Sequence, residues 1–292
     1  HLSYNPRFIT REAILRMGRK VPLEAKAEQL QEIVVSVSKW EQQKREIPQK
    51  IETIGASAIA FANPQTSADL LQQSGKIFVQ KSQYGGGSPM IRGFATNRVL
   101  LSVDGIRMNN AIFRGGNIQN VISLDPFTVR STEVIFGPGS VIYGSDAIGG
   151  VMNFYTRSPR FSQTDTLEVD GNVSYRTASA SGEQTIHGDV ALASQKWAFL
   201  SSVTYNSFGD LRMGLHGPDS YLRPSFIVRE NGQDVLKNND DPRTQVPSGY
   251  QQWNFMQKVR YRPSNRWSFD LGLHYSETSD FPRYDRLIRP SD

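Results

Sequence analysis

From Leu167 onward the chain alternates strictly between apolar and polar residues, and no other feature limits its fold as much. Leu167, Val169, Gly171, Val173 and Tyr175 share one face of an extended chain, opposed by Glu168, Asp170, Asn172, Ser174 and Arg176. Ile186, Gly188, Val190 and Leu192 repeat the arrangement against His187, Asp189 and Ala191. Three more segments run from Trp197 to Tyr205, Trp253 to Tyr261 and Trp267 to Tyr275, with Trp and Tyr at the two ends of each apolar face. A period of two is the period of a strand. Each segment has about nine residues, enough for a tilted strand to cross a bilayer. The terminal aromatics fall where two interfacial girdles would lie. Ser194-Gln-Lys196 and Pro263-Ser-Asn-Arg266 read as short turns, whereas residues 206–251 form a long polar loop and a further polar stretch follows Glu277. That alternation of short and long connections belongs to membrane barrels. Soluble sandwiches also alternate, but length, aromatic placement and loop asymmetry together favour the barrel.

Composition removes other classes. In 292 residues no apolar run approaches the ~20 that a spanning helix needs. Lys and Arg number 33 against 28 acidic residues, a net charge of +5 that gives no argument for nucleic acid. Cysteine is absent, which excludes disulfides, thiolate metal sites and cysteine nucleophiles. The four histidines lack metal-ligand spacing, no serine sits in a nucleophile elbow, and neither glycine cluster is followed by Gly-Lys-Ser/Thr. No catalytic residue, metal site or cofactor is expected, and the chain reads as a non-enzyme.

The first 160 residues are organised differently. Residues 1–30 are basic and mixed, with a weak helical stretch at 10–17. Residues 31–45 hold a β-branched run, Glu32-Ile-Val-Val-Ser-Val-Ser38, and a solvated connector beginning at Trp40. Residues 46–160 read as one α+β unit with strands near 51–54, 77–80, 90–93, 98–103, 106–108, 132–136 and 151–156. Thr66 and Asp69 have the spacing of a capping box for a helix over 69–73 that Gly75 closes. Asp104-Gly105 is a hairpin signal. Gly137-Pro-Gly-Ser140 turns the chain sharply before Gly149-Gly150 start a strand that must pack closely. Arg92, Arg98, Arg107 and Arg130, with Asp104, Glu133 and Asp146, are expected to pair with one another and with the wall of a barrel.

Four blocks of this unit carry a resemblance. Ile91-Arg-Gly-Phe94, Asn97-Arg-Val-Leu-Leu-Ser-Val-Asp-Gly-Ile-Arg107, Thr132-Glu-Val-Ile-Phe-Gly-Pro-Gly-Ser140 and Tyr143-Gly-Ser-Asp-Ala-Ile-Gly-Gly-Val-Met-Asn153 resemble, in order and spacing, the plug of TonB-dependent outer-membrane receptors. The resemblance covers about residues 31–292. It implies an α+β plug followed by the first strands of an antiparallel transmembrane β-barrel of about 22 strands in a bacterial outer membrane. Residues 1–30 are faintly similar to the end of a carboxypeptidase-regulatory-like β-domain.

By resemblance, Glu32, Ile33, Val34, Val35, Ser36 and Val37 stand in the place of the TonB box, which binds TonB of the inner-membrane motor. The implied activity is energised import of a scarce ligand of iron-chelate, haem or cobalamin type. Asn97-Arg98 to Arg107 and Asp280-Phe-Pro-Arg-Tyr-Asp-Arg-Leu287 resemble the haem and haemoglobin branch more than glycan importers. A ligand-sensing receptor of the same architecture, or a soluble β-rich binding module, remains an alternative. Ligand contacts are expected on the loops 83–88 and 111–117, through Tyr84, Phe113 and Arg114. His187 and His274 lie on the lumen face, as candidate ligands to a haem iron or as satisfied wall histidines. Five strands would leave two open edges in lipid, with backbone groups costing several kcal/mol each. The chain is therefore expected to be a segment of a longer receptor.

Overall fold

The computed structural model describes residues 33–34, 42–43, 49–81, 85–95, 98–108, 119–280 and 284. Two units separate, residues 1–48 and 49–292. In the first, β1 (Ile33–Val34) pairs antiparallel with β2 (Gln42–Gln43). The segment expected as a connector thus supplies the partner strand, because an extended β-branched run needs somewhere to place its backbone hydrogen bonds. Glu32, Val35, Ser36 and Val37, and the helical stretch expected at 10–17, lie outside the described residues.

The second unit opens with β3 (Lys50–Ile54), α1 (Ala56–Ala62), α2 (Ser67–Gln72), β4 (Phe78–Gln80) and β5 (Ser88–Met90). It continues with β6 (Val99–Val103), β7 (Ile106–Arg107), β8 (Val129–Phe136), α3 (Ser140–Tyr143) and β9 (Gly150–Thr156). The sheet order is β3-β8-β9-β6-β7, with β6 and β9 parallel and the other neighbours antiparallel. Leu70 and Leu71 of α2 pack with Val121, Leu101, Val134, Met152 and Phe154 into one apolar core.

Local chemistry explains these elements. The capping box is present: Thr66 Oγ1 accepts from the Asp69 amide, and the Thr66 amide donates to Asp69 Oδ2. α2 starts at Ser67, directly after that cap. Helix α1 has no acidic first turn and no side-chain cap, so the sequence carried little sign of it. Asp104-Gly105 turns the β6–β7 hairpin with both residues at positive φ (50° and 83°). Arg92-Gly93 makes a second such turn (49° and 84°), which moves the strand expected at 90–93 back to Ser88–Met90. Gly149 and Gly150 are close-approach glycines as expected. A Cβ on Gly149 would sit 2.3 Å from Phe94 Cβ, and one on Gly150 would sit 2.6 Å from the Ile135 carbonyl oxygen.

Five long strands follow: β10 (Glu168–Ala178), β11 (Glu183–Ala193), β12 (Trp197–Phe208), β17 (Tyr250–Ser264) and β18 (Trp267–Thr278). They form one open antiparallel wall in the order β10-β11-β12-β17-β18. All five were legible as alternating segments. The connection between β12 and β17, expected as a polar loop, is partly folded. It contains β13 (Leu211–Arg212) paired with β16 (Thr244–Gln245), and a hairpin of β14 (Ser225–Glu230) and β15 (Gln233–Asn238). The β10–β11 connection at the same end of the wall spans only residues 179–182, so a single long connection separates the five strands.

Burial in this wall is inverted relative to a soluble sheet. Leu167, Val169, Val173, Ile186, Trp253, Phe269, Leu271 and Leu273 are exposed, while Glu183, Thr185, His187, Asp189, Thr204, Asn206, Asn254 and Lys258 are buried. Aromatics meet across strands at both ends: Trp197 stacks on Tyr261, and Tyr205 lies against Trp253. An apolar outer band bounded by two aromatic rows suits lipid, not water.

A matched pair of substitutions checks this. Leu271, midway between Trp267 and Tyr275 on β18, is 69% exposed, and Leu236 on the β14–β15 hairpin is 65% exposed. Arginine at Leu271 should destabilise the lipid-embedded full-length protein by ~2–4 kcal/mol. Arginine at Leu236 should change stability by no more than about 0.5 kcal/mol. Equal effects in a lipid-vesicle unfolding titration would refute the membrane assignment.

Candidate functional site

The buried polar face of the wall has to be satisfied, and the α+β unit satisfies it. At one end Arg176 Nε donates to Glu183 Oε1 at 2.6 Å, and Arg176 Nη1 reaches Asn63 Oδ1 and the Pro64 carbonyl, each at 2.9 Å. Gln65 Nε2 donates to Glu183 Oε2 at 2.5 Å, and Thr185 Oγ1 donates to Glu183 Oε1 at 2.7 Å.

Next along the wall, the turn Pro126–Thr128 presses Phe127 flat against His187, with ring centroids 4.6 Å apart. Asp125, which caps that turn by accepting from the Phe127 amide, receives the Thr204 hydroxyl at 2.5 Å. Burial pushes the Asp125 carboxyl above its ordinary range against these hydrogen bonds and the nearby His187 and Arg176. Arg157, just past β9, clamps Asp189 through both guanidinium nitrogens, at 2.6 and 3.0 Å. His187 lies between, with Nδ1 2.6 Å from Thr204 Oγ1 and Nε2 3.1 Å from Asp189 Oδ2.

Against β17 and β18 the contact is sparser. Gln252 Nε2 donates to the Ile122 carbonyl at 3.0 Å. Lys258 Nζ donates to Asp104 Oδ2 at 2.8 Å, and His274 Nε2 lies 3.7 Å from the same oxygen. Burial opposes the Asp104 charge, yet the hydrogen bonds from Lys258 and from the Thr156 hydroxyl and amide hold its carboxyl below the usual range. A cavity of about 650 Å³ separates the β6–β7 hairpin from this part of the wall, lined among others by Arg107, Met108, Arg130, Lys258 and His274.

The charges expected to pair do so in part. Arg107 bridges Asp146, Asp104 reaches the wall through Lys258, and Arg92 lies over the Phe136 ring. Tyr84, Phe113 and Arg114 lie outside the described residues. The described part of the first loop, residues 85–88, is buried, and a Cβ on Gly87 would sit 2.6 Å from Ala68 Cβ. Gly87 lets the loop pack on α2. His187 and His274 share the lumen face but are not brought together: His187 is 1% exposed with both nitrogens engaged, whereas His274 borders the cavity. Among the described residues no group of three or more His, Asp or Glu side chains could hold a metal ion.

The contacts of Asp125, Arg157 and Gln65 were not expected from sequence. Their wall partners were visible as the polar face of the strands. The plug side has no local signal, since the partners lie up to 118 residues away.

Comparison with known proteins agrees with this architecture. The sequence model described as TonB-dependent Receptor Plug Domain matches residues 43–151. A Vitamin B12 transporter BtuB of Vibrio vulnificus (strain CMCP6) is 35% identical over 139 residues, covering 47% of this chain and 22% of that protein. A Hemin receptor of Yersinia pestis is 30% identical over 149 residues, covering 51% and 21%. The chain therefore spans about a fifth of the length of these two relatives. The pyoverdine outer membrane receptor FpvA from Pseudomonas aeruginosa PAO1 superposes with a TM-score of 0.60 at 14% identity, covering 84% of this chain and 30% of that one. An inverted strand wall packed on its polar side against a matching plug domain has one reading: residues 43–151 are a TonB-dependent receptor plug domain, and with the five strands that follow the chain has the architecture of the TonB-dependent receptors of the bacterial outer membrane.

Proposed function

We propose that the protein imports a scarce ligand of cobalamin, haem or iron-chelate type across the outer membrane, with the plug closing the barrel and TonB supplying the pull. The observation that carries this reading is the plug seated on the polar face of a membrane wall. Such a seat blocks a lumen, and it is held by hydrogen bonds and ion pairs that can be exchanged for water. Relatives named for vitamin B12 and for hemin support the ligand class. The resemblance of the segments ending at Arg107 and beginning at Asp280 inclines the choice towards haem. Growth of a receptor-deletion strain complemented with the full-length gene, on defined cobalamin, haem and ferric-chelate sources, tests it. Growth restored on none of them would refute import of this class.

TonB is the partner, and the segment Glu32, Ile33, Val34, Val35, Ser36, Val37 is its handle. Ile33–Val34 is already extended and paired through its backbone with Gln42–Gln43. The same backbone groups can add to a partner's sheet, where main-chain hydrogen bonds give grip with little demand on sequence. Ligand binding promotes the exchange if the liganded plug holds this segment less well. Proline at Val34 or Val35 removes a donor and fixes φ. Either variant of the full-length protein should lose uptake completely while binding ligand as the wild type does. Normal uptake would exclude this handle.

Tyr84, Phe113 and Arg114 are the proposed ligand contacts on the plug loops. Replacing all three with alanine should weaken ligand binding by about tenfold or more, since aromatic and arginine anchors dominate binding energy. Unchanged affinity in a titration of the purified receptor would remove the site.

A further inference from the structure

The bonds around His187 cannot all be made unless the site holds an extra proton. The Thr204 hydroxyl has one hydrogen and lies 2.5 Å from Asp125 Oδ2 and 2.6 Å from His187 Nδ1. If it donates to Asp125, Nδ1 must carry a hydrogen to donate to Thr204. On the other side, Nε2 faces Asp189 Oδ2 at 3.1 Å. Asp189 is clamped by both Arg157 nitrogens and is an acceptor, so Nε2 must also carry a hydrogen. The ring is then an imidazolium. If Thr204 instead donates to Nδ1, Asp125 must be the donor to Thr204 and is itself a protonated acid. Both arrangements contain the same number of protons and differ only by a shift through the Thr204 hydroxyl. Without that proton, at least one of the three contacts, with Asp125, Thr204 or Asp189, sets acceptor against acceptor.

Charge gives the same answer independently. The charged groups packed around the ring are Asp125 from the plug turn, Asp189 and Glu183 from β11, Arg176 from β10 and Arg157 from the segment after β9. Three carboxylates face two guanidinium groups. One proton brings this buried cluster to neutrality, and its loss leaves a net negative charge in a site where His187, Asp125 and Glu183 have almost no solvent contact. The face-to-face stacking of Phe127 on His187 also favours a cationic ring.

We propose that Asp125 of the plug and His187 of the wall share one proton through Thr204 at neutral pH, and that this proton latches the plug to the β11–β12 wall. The sign follows from linkage: the native latch binds a proton that the open form gives up, so the hold is complete at low pH and lost as pH rises through the pair's titration. The latch stands on plug–wall geometry and is independent of which ligand is carried.

The test uses the full-length protein in detergent micelles. Its readout is backbone hydrogen exchange of residues 125–129, corrected for the intrinsic pH dependence of exchange. In the wild type, protection should fall about tenfold for each pH unit above the titration of the pair. In Asp125→Asn and in Thr204→Val the profile should be flat. Core amides of β9 report whether each variant is folded, and either variant suffices. The proton itself should appear at pH 7.5 in one of two ways. Nitrogen-15 spectra would show a ring with both nitrogens protonated, or infrared spectra would show a carboxylic-acid carbonyl band that Asp125→Asn removes. Absence of both signatures, or a falling profile that the folded variants retain, overturns the latch. The Val34 and Val35 proline variants report on uptake separately, so the transport reading and the latch fail independently.

Discussion

In lipid, a backbone amide or carbonyl has no water to turn to, so a chain without spanning helices must satisfy these groups between strands. The consequence here is a wall whose apolar side faces outward and whose other side is left with Glu183, Thr185, His187, Asp189, Thr204, Asn254 and Lys258. Such a face is stable only if something polar and complementary covers it. The plug completes the hydrogen bonding of the wall, and in the proposed function the same surface obstructs the lumen. Because each contact exchanges protein partners for water at small net cost, a well-seated plug is compatible with the displacement that the proposed function requires.

Much of this was legible from the residues. The five spanning strands followed from a period of two and from Trp and Tyr at fixed ends of one face. The capping box at Thr66 and Asp69 and the turn at Asp104-Gly105 are local chemistry and appear where they were expected. The β14–β15 hairpin was readable but passed over. Asn231-Gly232, at φ 50° and 81°, is the same kind of signal as Asp104-Gly105, set in a stretch whose polarity masked it. Helix α1 offered no cap; β1 falls within the β-branched run read as a strand candidate, whereas its partner β2 is two glutamines in a stretch read as a connector.

The site was legible on one side only. Alternation marks His187, Asp189, Lys258 and His274 as inward-facing, because period alone decides which way a strand residue points. Nothing local marks Asp125, Gln65 or Arg157 as the plug-side partners of Thr204, Glu183 and Asp189. Asp125 looks like an ordinary turn cap, and Arg157 like a charge at the end of a strand. What joins them to the wall is the closure of loops of 32 to 118 residues, which pattern reading does not reach. Gly85, Gly86 and Gly87 show the converse case. A glycine run beside an aromatic suggests an open loop, whereas Gly87 is needed so that the chain can lie against Ala68.

These five strands do not hold the plug evenly. Against β10–β12 it has the Arg176–Glu183–Gln65 group, the Phe127–His187 stack, the Asp125–Thr204 contact and the Arg157–Asp189 clamp. Against β17–β18 it has Gln252 on the Ile122 carbonyl, the Asp104–Lys258 pair and a cavity of about 650 Å³. Asp104 sits at the tip of a hairpin whose outer strand, β7, is two residues long at the edge of the plug sheet. An edge strand with one neighbour and few apolar contacts belongs to the low-stability end of a fold. Phe154 and Met152 on β9 belong to the other end, fully buried with sheet neighbours on both sides. Within these five strands the firm attachments lie against β10–β12, and the hairpin tip borders the cavity on the β17–β18 side. The asymmetry follows from where the charges stand on the wall, since β10 and β11 present Arg176, Glu183 and Asp189 to the plug while β17 presents Lys258.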